Sequence, residues 1–323
     1  MTTTSYYHMY GHVPWVEGVE KATNGRVKVT IYPSSTIMKS KDAWEGVKSG
    51  VADISWLFTG LVPGQFDMVE AVSLPFMVPS AEVGAYVTWN LFQKSPDVQK
   101  QFAAMKMLAI WCSEPGFYVS NKKVFKTLDD FKGMKVREVG GPPTELIKAL
   151  GATPLLIGMP DVYLNLQKGV MDAAEVTSES YWGFRLFEVA PYVTLIPAIP
   201  KIHMLFMNKD TWNDMPKDVQ DGIMSVSDEK GSVRYSVDVY ERSRIDLPDL
   251  IKKSGSNVTF YTVPPDDVAK WVEVGGKPVW ANWIKSMKAK GFANAQQVFD
   301  LTQQLADEYS KKITPSTPSP IKK

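Results

Sequence analysis

The stretch that decides the fold opens with Gly133-Met-Lys-Val-Arg-Glu-Val-Gly-Gly141 and closes with Asp161-Val-Tyr-Leu-Asn-Leu-Gln-Lys-Gly-Val-Met-Asp172. Its first part predicts a short strand that carries Arg137 among apolar or alternating neighbours. A helix from about Thr144 to Gly151 follows, and then a second strand and a second helix that ends at Gly169. Strands and helices that alternate at this spacing predict an α/β architecture with largely parallel sheets.

Arg137 is the side chain in this stretch that we expect to bind a ligand. A guanidinium at the end of a strand, facing a cleft, offers two parallel N–H donors to one carboxylate. From the residues alone, an ion-paired strand residue is the more common role of an arginine. The assignment to a ligand therefore depends on the resemblance described below.

Composition limits the class of protein. At 323 residues the chain predicts two domains rather than one. Its 36 basic and 35 acidic side chains nearly cancel, so we expect no nucleic acid and no anionic membrane surface as partner. The single cysteine, Cys112, excludes an internal disulfide and a CxxC metal or redox site.

The N-terminus and the hydropathy of the chain bear on its compartment. No apolar run approaches the roughly 20 residues of a membrane span. The N-terminus lacks a charged segment followed by an apolar one, which is the pattern of a signal peptide. Because the chain starts almost on a strand-like segment, Thr3–His8, we expect that a leader was removed and replaced by Met1.

Periodicity predicts the remaining elements. Thr127–Asp130 has the pattern of a capping box at the start of a brief helical turn. The tail Thr314–Lys323, rich in Pro and Ser, is expected to be unstructured. Strands are expected at 27–31, 52–58, 107–111 and 117–120, and helices at 13–22, 44–51, within 216–254, and at 266–274, 279–290 and 295–311.

Several segments together resemble the extracytoplasmic solute-binding proteins of tripartite ATP-independent periplasmic (TRAP) transporters, the DctP-like family. Their order and spacing carry the resemblance, which covers essentially residues 20–225. The segments are Thr23–Pro33, Gly50–Ile54, Lys132–Arg137, Gly151–Asp172 and the return segment Phe206–Pro216.

The resemblance implies a periplasmic-binding-protein-like class II fold, with two α/β lobes, a hinge, a long connecting helix and a ligand cleft between the lobes. Lobe I would combine residues 1–113 and 204–240, and lobe II residues 114–203 and 241–323. The resemblance also implies a periplasmic protein that needs no cofactor and delivers an organic anion to TRAP membrane permease subunits. We expect it to be a monomer.

The resemblance places Arg137 at the carboxylate-clamping position of the family. Further ligand-binding residues are expected at strand ends and after the turn at Gly169–Asp172. They are Tyr7, His8, Trp56, Phe58, Trp111, Met159, Glu175, Glu179, Trp182, His203 and Phe206. For each of them a role in the core, at a helix start or in a frayed terminus remains an alternative. His8 and His12 have a metal-chelating spacing, but no third ligand is evident, so we expect no metal.

The segment Glu114–Phe117 departs from the family pattern, because many relatives carry a second arginine there. The missing charge favours an aromatic or 2-oxo/2-hydroxy monocarboxylate over a dicarboxylate or sialic acid. The alternatives are an α/β enzyme that acts on a carboxylate, with Glu175 as base, and a ligand-sensing module. The sequence has no GxSxG, P-loop, dinucleotide-binding or HExxH motif, so we expect no enzyme.

Overall fold

The computed structural model describes residues 3–138, 140–314, 316 and 318, which form two β-sheets surrounded by helices. The expected α/β architecture is confirmed. The strands are β1 (Ile54–Phe58), β2 (Met105–Cys112), β3 (Phe117–Ser120), β4 (Lys135–Glu138), β5 (Thr153–Leu156), β6 (Ala173–Val176), β7 (Tyr192–Leu195), β8 (Ile202–Asn208) and β9 (Thr259–Thr262).

Most of the chain outside the sheets is helical. The α-helices are α1 (Val13–Ala22), α2 (Ala43–Lys48), α3 (Ala81–Lys94), α4 (Pro96–Gln101), α5 (Pro142–Ala149), α6 (Met159–Gln167), α7 (Ser178–Gly183), α8 (Lys209–Asn213), α9 (Lys217–Met224), α10 (Asp228–Tyr235), α11 (Arg242–Ser254), α12 (Pro265–Trp271), α13 (Lys277–Ala289) and α14 (Ala295–Lys312). Segments of π-helix are Tyr7–His12, Ser236–Glu241 and Val272–Gly276, and 3₁₀ turns are Ser40–Asp42, Thr59–Leu61, Val69–Ala71, Leu128–Phe131 and Leu186–Glu188.

The first sheet has the order β1-β8-β2, and both pairs are antiparallel. Its register aligns Phe58, His203 and Trp111 in one row across the three strands. Because successive side chains of a strand point to opposite faces, Trp56 lies on the same face as this row, and Phe206 lies on the other. The row at the end of the sheet therefore brings together aromatic side chains that are far apart in sequence.

The second sheet has the order β5-β4-β6-β3-β7-β9 and is mixed. β4 is parallel to β5 and β6, and β7 to β9, whereas β3 is antiparallel to β6 and β7. The expectation of largely parallel sheets is therefore wrong. The reason is that the chain passes from β2 in the first sheet to β3 in the second. It later returns from β7 to β8, beside the first path and in the opposite direction.

Among the described residues, three segments link the two sheets. Residues 113–116 and 196–201 cross side by side, with the N–H of Gly116 donating to the carbonyl of Ile199 at 2.9 Å. The third connection is the helical run of α10, the π-segment Ser236–Glu241 and α11. Its first part packs against the first sheet, whereas Leu247 packs in the core of the second. This run is the long connecting helix that the family resemblance implies.

Burial is divided among three apolar clusters. One lies on the His203 face of the first sheet, and another on the Arg137 face of the second. The largest fills the opposite faces of both sheets and reaches α13 and α14. The last helix, α14, lies along α3, and the rings of Tyr86 and Tyr309 stack at 5.0 Å. Residues 295–312 therefore pack on the side of the first lobe, whereas we expected them in the second.

Two expected strands are not strands in the structure. Thr3–His8 is wrong as a strand, because the chain enters a helical run at Tyr6 that continues into α1. Residues 27–31 alternate between half-buried and exposed as expected, but they join no sheet among the described residues. Alternation specifies which side chains face the core, but it does not supply a neighbouring strand.

Two further expectations concern the capping box at Thr127 and the C-terminal tail. The expected capping box at Thr127 is confirmed, because both of its reciprocal hydrogen bonds are present. Of the expected flexible tail 314–323, most positions lie outside the described residues, as does Met1. The amide of Ser316 donates to Glu82 at 2.8 Å. No helix in the described part of the chain is long and apolar enough to cross a membrane.

Candidate functional site

Arg137 lies at the carboxyl end of β4, where three parallel strands end at the same edge of the sheet. Its side chain is buried, at 3% exposure. Nε donates to the carbonyl of Ile157, which follows β5, at 2.8 Å, and Nη1 donates to the carbonyl of Glu175 on β6 at 3.4 Å. Within the described residues no carboxylate forms an ion pair with Arg137, and Nη2 makes no hydrogen bond. Two main-chain carbonyls thus fix the guanidinium and leave one of its edges available.

The charge of Arg137 is maintained despite its burial. Burial lowers the pKa of the guanidinium, and the neighbouring carboxylates of Glu138 and Glu175 raise it. An arginine stays protonated under all ordinary conditions. The site therefore presents a desolvated positive charge, which binds an anion more strongly than an exposed charge does.

Glu175 is fully buried on β6, and its carboxylate links this strand to a crossing segment. Oε2 forms an ion pair with Nζ of Lys201, which lies on the crossing segment that leads into β8. Oε1 has no hydrogen-bond partner among the described residues and lies against Gly116, where a Cβ would be only 1.2 Å away. Glu175 thus contacts Arg137 through its main chain and Lys201 through its side chain.

His203 is the centre of an aromatic group on the other side of the cleft. Its ring centroid lies 5.3 Å from that of Phe58, 5.5 Å from Trp56, and 5.6 Å from both Tyr7 and Tyr240. The hydroxyl of Tyr240 lies 2.7 Å from Nε2, and that of Tyr7 lies 3.2 Å from it. Burial, aided by the charge of Lys201, lowers the pKa of His203 well below its ordinary value. The imidazole is therefore neutral, and it offers an aromatic surface with hydrogen-bonding edges.

Trp111 extends this group toward the connecting helix. It is fully buried, and its ring stacks on that of Tyr235 at 4.2 Å. The hydroxyl of Tyr235 lies 3.0 Å from Nδ1 of His12. The indole nitrogens of Trp56 and Trp111 are buried without a hydrogen-bond partner in the described part of the chain, which is uncommon for such donors.

A cavity of about 670 Å³ lies beside the cleft, between the N-terminal helical segment, α7 and the end of α11. Glu179 and Trp182 line it, together with Tyr6 and Tyr10. Trp182 packs against the cores of both lobes, so it spans the gap between them. Burial raises the pKa of Glu179 to about 7. Arg137 is not among the residues that line this cavity.

Three of the expected residues belong neither to the group around His203 nor to the surroundings of Arg137 and the cavity described above. Met159 begins α6 and packs, half-buried, against the core of the second sheet. Phe206 is fully buried on the face of β8 opposite to His203, with its ring 5.0 Å from that of Trp44. His8 is half-buried on the N-terminal segment, and its ring makes none of the contacts around His203.

Sequence reasoning missed Lys201, Tyr235 and Tyr240. Lys201 precedes β8 on the crossing segment, so the alternation of side chains along that strand does not predict its contact with Glu175. Tyr235 and Tyr240 are five residues apart, which in an α-helix separates two side chains by about 140°. The π-segment Ser236–Glu241 follows a pattern of i to i+5, which aligns them. No periodicity in the sequence predicts the π-helical segment Ser236–Glu241.

The hinge contains a further buried carboxyl group. Glu114, on the first crossing segment, accepts a hydrogen bond from the N–H of Ser178 in the second lobe at 2.5 Å. Burial raises the pKa of Glu114 to about 8, so the group is largely protonated at neutral pH.

Comparisons with known proteins agree on one family. The family model described as "Bacterial extracellular solute-binding protein, family 7", DctP, matches residues 2–286. The C4-dicarboxylate-binding periplasmic protein DctP of Rhodobacter capsulatus is 27% identical over 269 residues, which are 82% of this chain and 79% of that protein.

Two solved structures share the fold over nearly their whole length. A TRAP solute-binding protein from Rhodoferax ferrireducens, in complex with copurified benzoate, has a TM-score of 0.87 at 24% identity and covers 97% of each chain. A marine metagenome TRAP solute-binding protein specific for aromatic acid ligands, in complex with 3-hydroxybenzoate, has a TM-score of 0.86 at 26% identity. That alignment covers 95% of this chain and 96% of the other.

Proposed function

The chain belongs to family 7 of the bacterial extracellular solute-binding proteins, the DctP family, and from this membership we propose that it captures a small organic monocarboxylate for a TRAP-type secondary transporter. Arg137 binds the carboxylate, and the aromatic group around His203 encloses the body of the ligand. The favoured class is an aromatic or a 2-oxo/2-hydroxy monocarboxylate.

The state of Arg137 is the observation that carries this proposal. A buried charge is normally paired, because an unpaired one costs several kcal/mol. Arg137 is held only by two main-chain carbonyls, and its Nη2 has no partner in the described residues. A ligand carboxylate would supply the missing counter-charge through two parallel hydrogen bonds.

Access to Arg137 requires the lobes to move. The crossing segments 113–116 and 196–201 and the π-segment Ser236–Glu241 are the places where the chain passes between them. Contacts that exist only in the closed form, such as those of a carboxylate with Arg137, shift the equilibrium toward closure.

The aromatic group around His203 supports a ligand with a flat apolar body. Trp56, Phe58 and Tyr7 surround a neutral imidazole, and such surfaces favour stacking with another ring. The relatives bound to benzoate and 3-hydroxybenzoate carry ligands of this kind. The second cation near the cleft, Lys201, already has Glu175 as its partner.

Location and partners follow from the family. Its members are extracellular solute-binding proteins of transport systems rather than enzymes. We accordingly place the protein in the periplasm, as a monomer that passes its ligand to the membrane permease subunits.

Calorimetry with a panel of carboxylates tests the proposal. We expect micromolar or tighter binding of an aromatic or 2-hydroxy monocarboxylate, and a loss of at least a hundredfold in Arg137→Ala, because one partner of a buried pair typically contributes about 3–5 kcal/mol. Arg26→Ala is the matched control, because Arg26 is exposed and paired with Asp218 at the surface. Micromolar binding retained by Arg137→Ala would contradict the proposal. Native mass spectrometry of the purified protein identifies any ligand captured in the cell.

A further inference from the structure

We infer that Glu175 sets the charge of the ligand that the cleft accepts, because it neutralises Lys201 and so prevents this lysine from acting as a second cationic anchor. The inference rests on the proposed function, in which Arg137 binds a carboxylate. It identifies a residue that determines specificity between monocarboxylates and dicarboxylates.

Two cations converge on this one glutamate. Nη1 of Arg137 donates to its main-chain oxygen at 3.4 Å, and Nζ of Lys201 pairs with its side-chain Oε2. Because both acceptors belong to one residue, the guanidinium of Arg137 and the ammonium of Lys201 lie within roughly 10 Å of each other. This is also the span of a small dicarboxylate with its two anchors.

Lys201 lies on the crossing segment, immediately before Ile202, the first residue of β8. Its charge, after burial, is a cause of the lowered pKa of His203. The side chain keeps 14% exposure, whereas that of Glu175 has none. Without Glu175, the ammonium would be available to a bound anion.

The carboxylate of Glu175 is fixed in its position. Oε1 packs against the backbone at Gly116, so the group has no room to move in that direction. Its other oxygen has Lys201 as partner. Displacing it would leave a buried carboxylate unpaired, which is strongly unfavourable.

The balance of charge then selects the ligand. Glu175 is the ion-pair partner of Lys201, whereas no carboxylate of the described residues forms an ion pair with Arg137. A monocarboxylate needs only the open edge of Arg137. The second carboxylate of a dianion would have to displace Glu175 from Lys201, or else remain buried without a cation. Both outcomes disfavour dicarboxylates.

The test compares benzoate with the three isomers of benzenedicarboxylate, which sample different spacings between carboxylates. Dissociation constants are measured by calorimetry at one pH and one ionic strength for the wild type, Glu175→Gln, Glu175→Gln/Lys201→Met, and Glu138→Gln. We expect the wild type to prefer benzoate by at least a hundredfold over the best dicarboxylate. Glu175→Gln should reduce this preference at least tenfold, and the double variant should restore it.

Glu138→Gln is the matched control, because it removes a buried carboxylate near Arg137 without freeing Lys201. Its preference should stay within threefold of the wild type. The inference is overturned if Glu175→Gln keeps the wild-type preference, if the double variant is as permissive as the single one, or if Glu138→Gln shifts the preference equally. In the last case the number of charges matters, and not the pairing of Lys201.

Circular dichroism and thermal melting establish that each variant is folded. If Glu175→Gln does not fold, Lys201→Met decides. That variant leaves the carboxylate of Glu175 uncompensated near the ligand, so benzoate should bind at least tenfold more weakly and no dicarboxylate should gain affinity. A gain in dicarboxylate binding would overturn the inference. A wild type that binds no monocarboxylate refutes the proposed function together with the inference, whereas monocarboxylate binding with an unchanged preference in Glu175→Gln refutes the inference alone.

Discussion

Gly116 is the position at which one added methyl group should have the largest effect on the hinge. It lies on the first crossing segment and pairs with Ile199 of the second. In Gly116→Ala the new Cβ would lie 1.2 Å from Oε1 of Glu175. Atoms in contact stay more than 3 Å apart, so the carboxylate or the crossing segment has to move by about 2 Å.

Either movement destabilises the folded state. If Glu175 moves, the buried pair with Lys201 is broken, and losing one partner of such a pair costs about 3–5 kcal/mol. If the backbone moves instead, overpacking of this kind costs about 1–3 kcal/mol. We expect Gly116→Ala to lower the free energy of unfolding by about 3 kcal/mol.

Urea unfolding monitored by tryptophan fluorescence measures this difference. Gly183→Ala is the control, because a Cβ there meets only Oε1 of Glu179 at 3.7 Å, and alanine in a helix gains up to about 1 kcal/mol over glycine. The double variant Gly116→Ala/Glu175→Ala should lose less stability than the sum of the losses in the two single variants. The difference should exceed 1 kcal/mol, since the second change removes the clash. A Gly116→Ala protein within 0.5 kcal/mol of the wild type, or additive effects in the double variant, would refute the reasoning.

Two further predictions concern buried polar groups. Burial raises the pKa of Glu114 to about 8. Between about pH 5 and pH 8 the folded state therefore holds a proton that the unfolded state has lost. The free energy of unfolding consequently falls as the pH rises through that range. Urea unfolding at several pH values should show the stability of the wild type declining relative to Glu114→Gln by roughly 3 kcal/mol, and parallel curves would exclude this role. Tyr240→Phe removes the hydroxyl 2.7 Å from Nε2 of His203 and should lower the free energy of unfolding by about 1–3 kcal/mol, because a buried nitrogen loses a partner. A neutral result in the same assay would mean that Tyr7 replaces it.

Local sequence signals predicted the elements that position Arg137. The short strand at β4, the helices after it and the capping box at Thr127 follow from spacing and turn residues within a few positions of each other. The two-lobed fold followed from the order of several such segments, and the match to family 7 agrees with it.

The contents of the cleft depended on contacts that no local signal records. Lys201 meets Glu175 only because two crossing segments bring the lobes together, and Tyr240 reaches His203 only through a π-segment. The chain runs in opposite directions through the two crossing segments, so the strands that flank them pair antiparallel. The alternation of strands and helices along the sequence does not predict this direction.

The position of β8 at the centre of the first sheet governs the order in which the protein can be built. β1 and β2 do not pair with each other, and among the described residues each pairs only with β8, which begins at Ile202. About 90 residues separate Cys112 from Ile202, and a ribosome that adds roughly 5–20 residues per second needs about 5–18 s to make them. During that interval the nascent chain carries two strands without a template, so their edges are available to chaperones before the sheet can close.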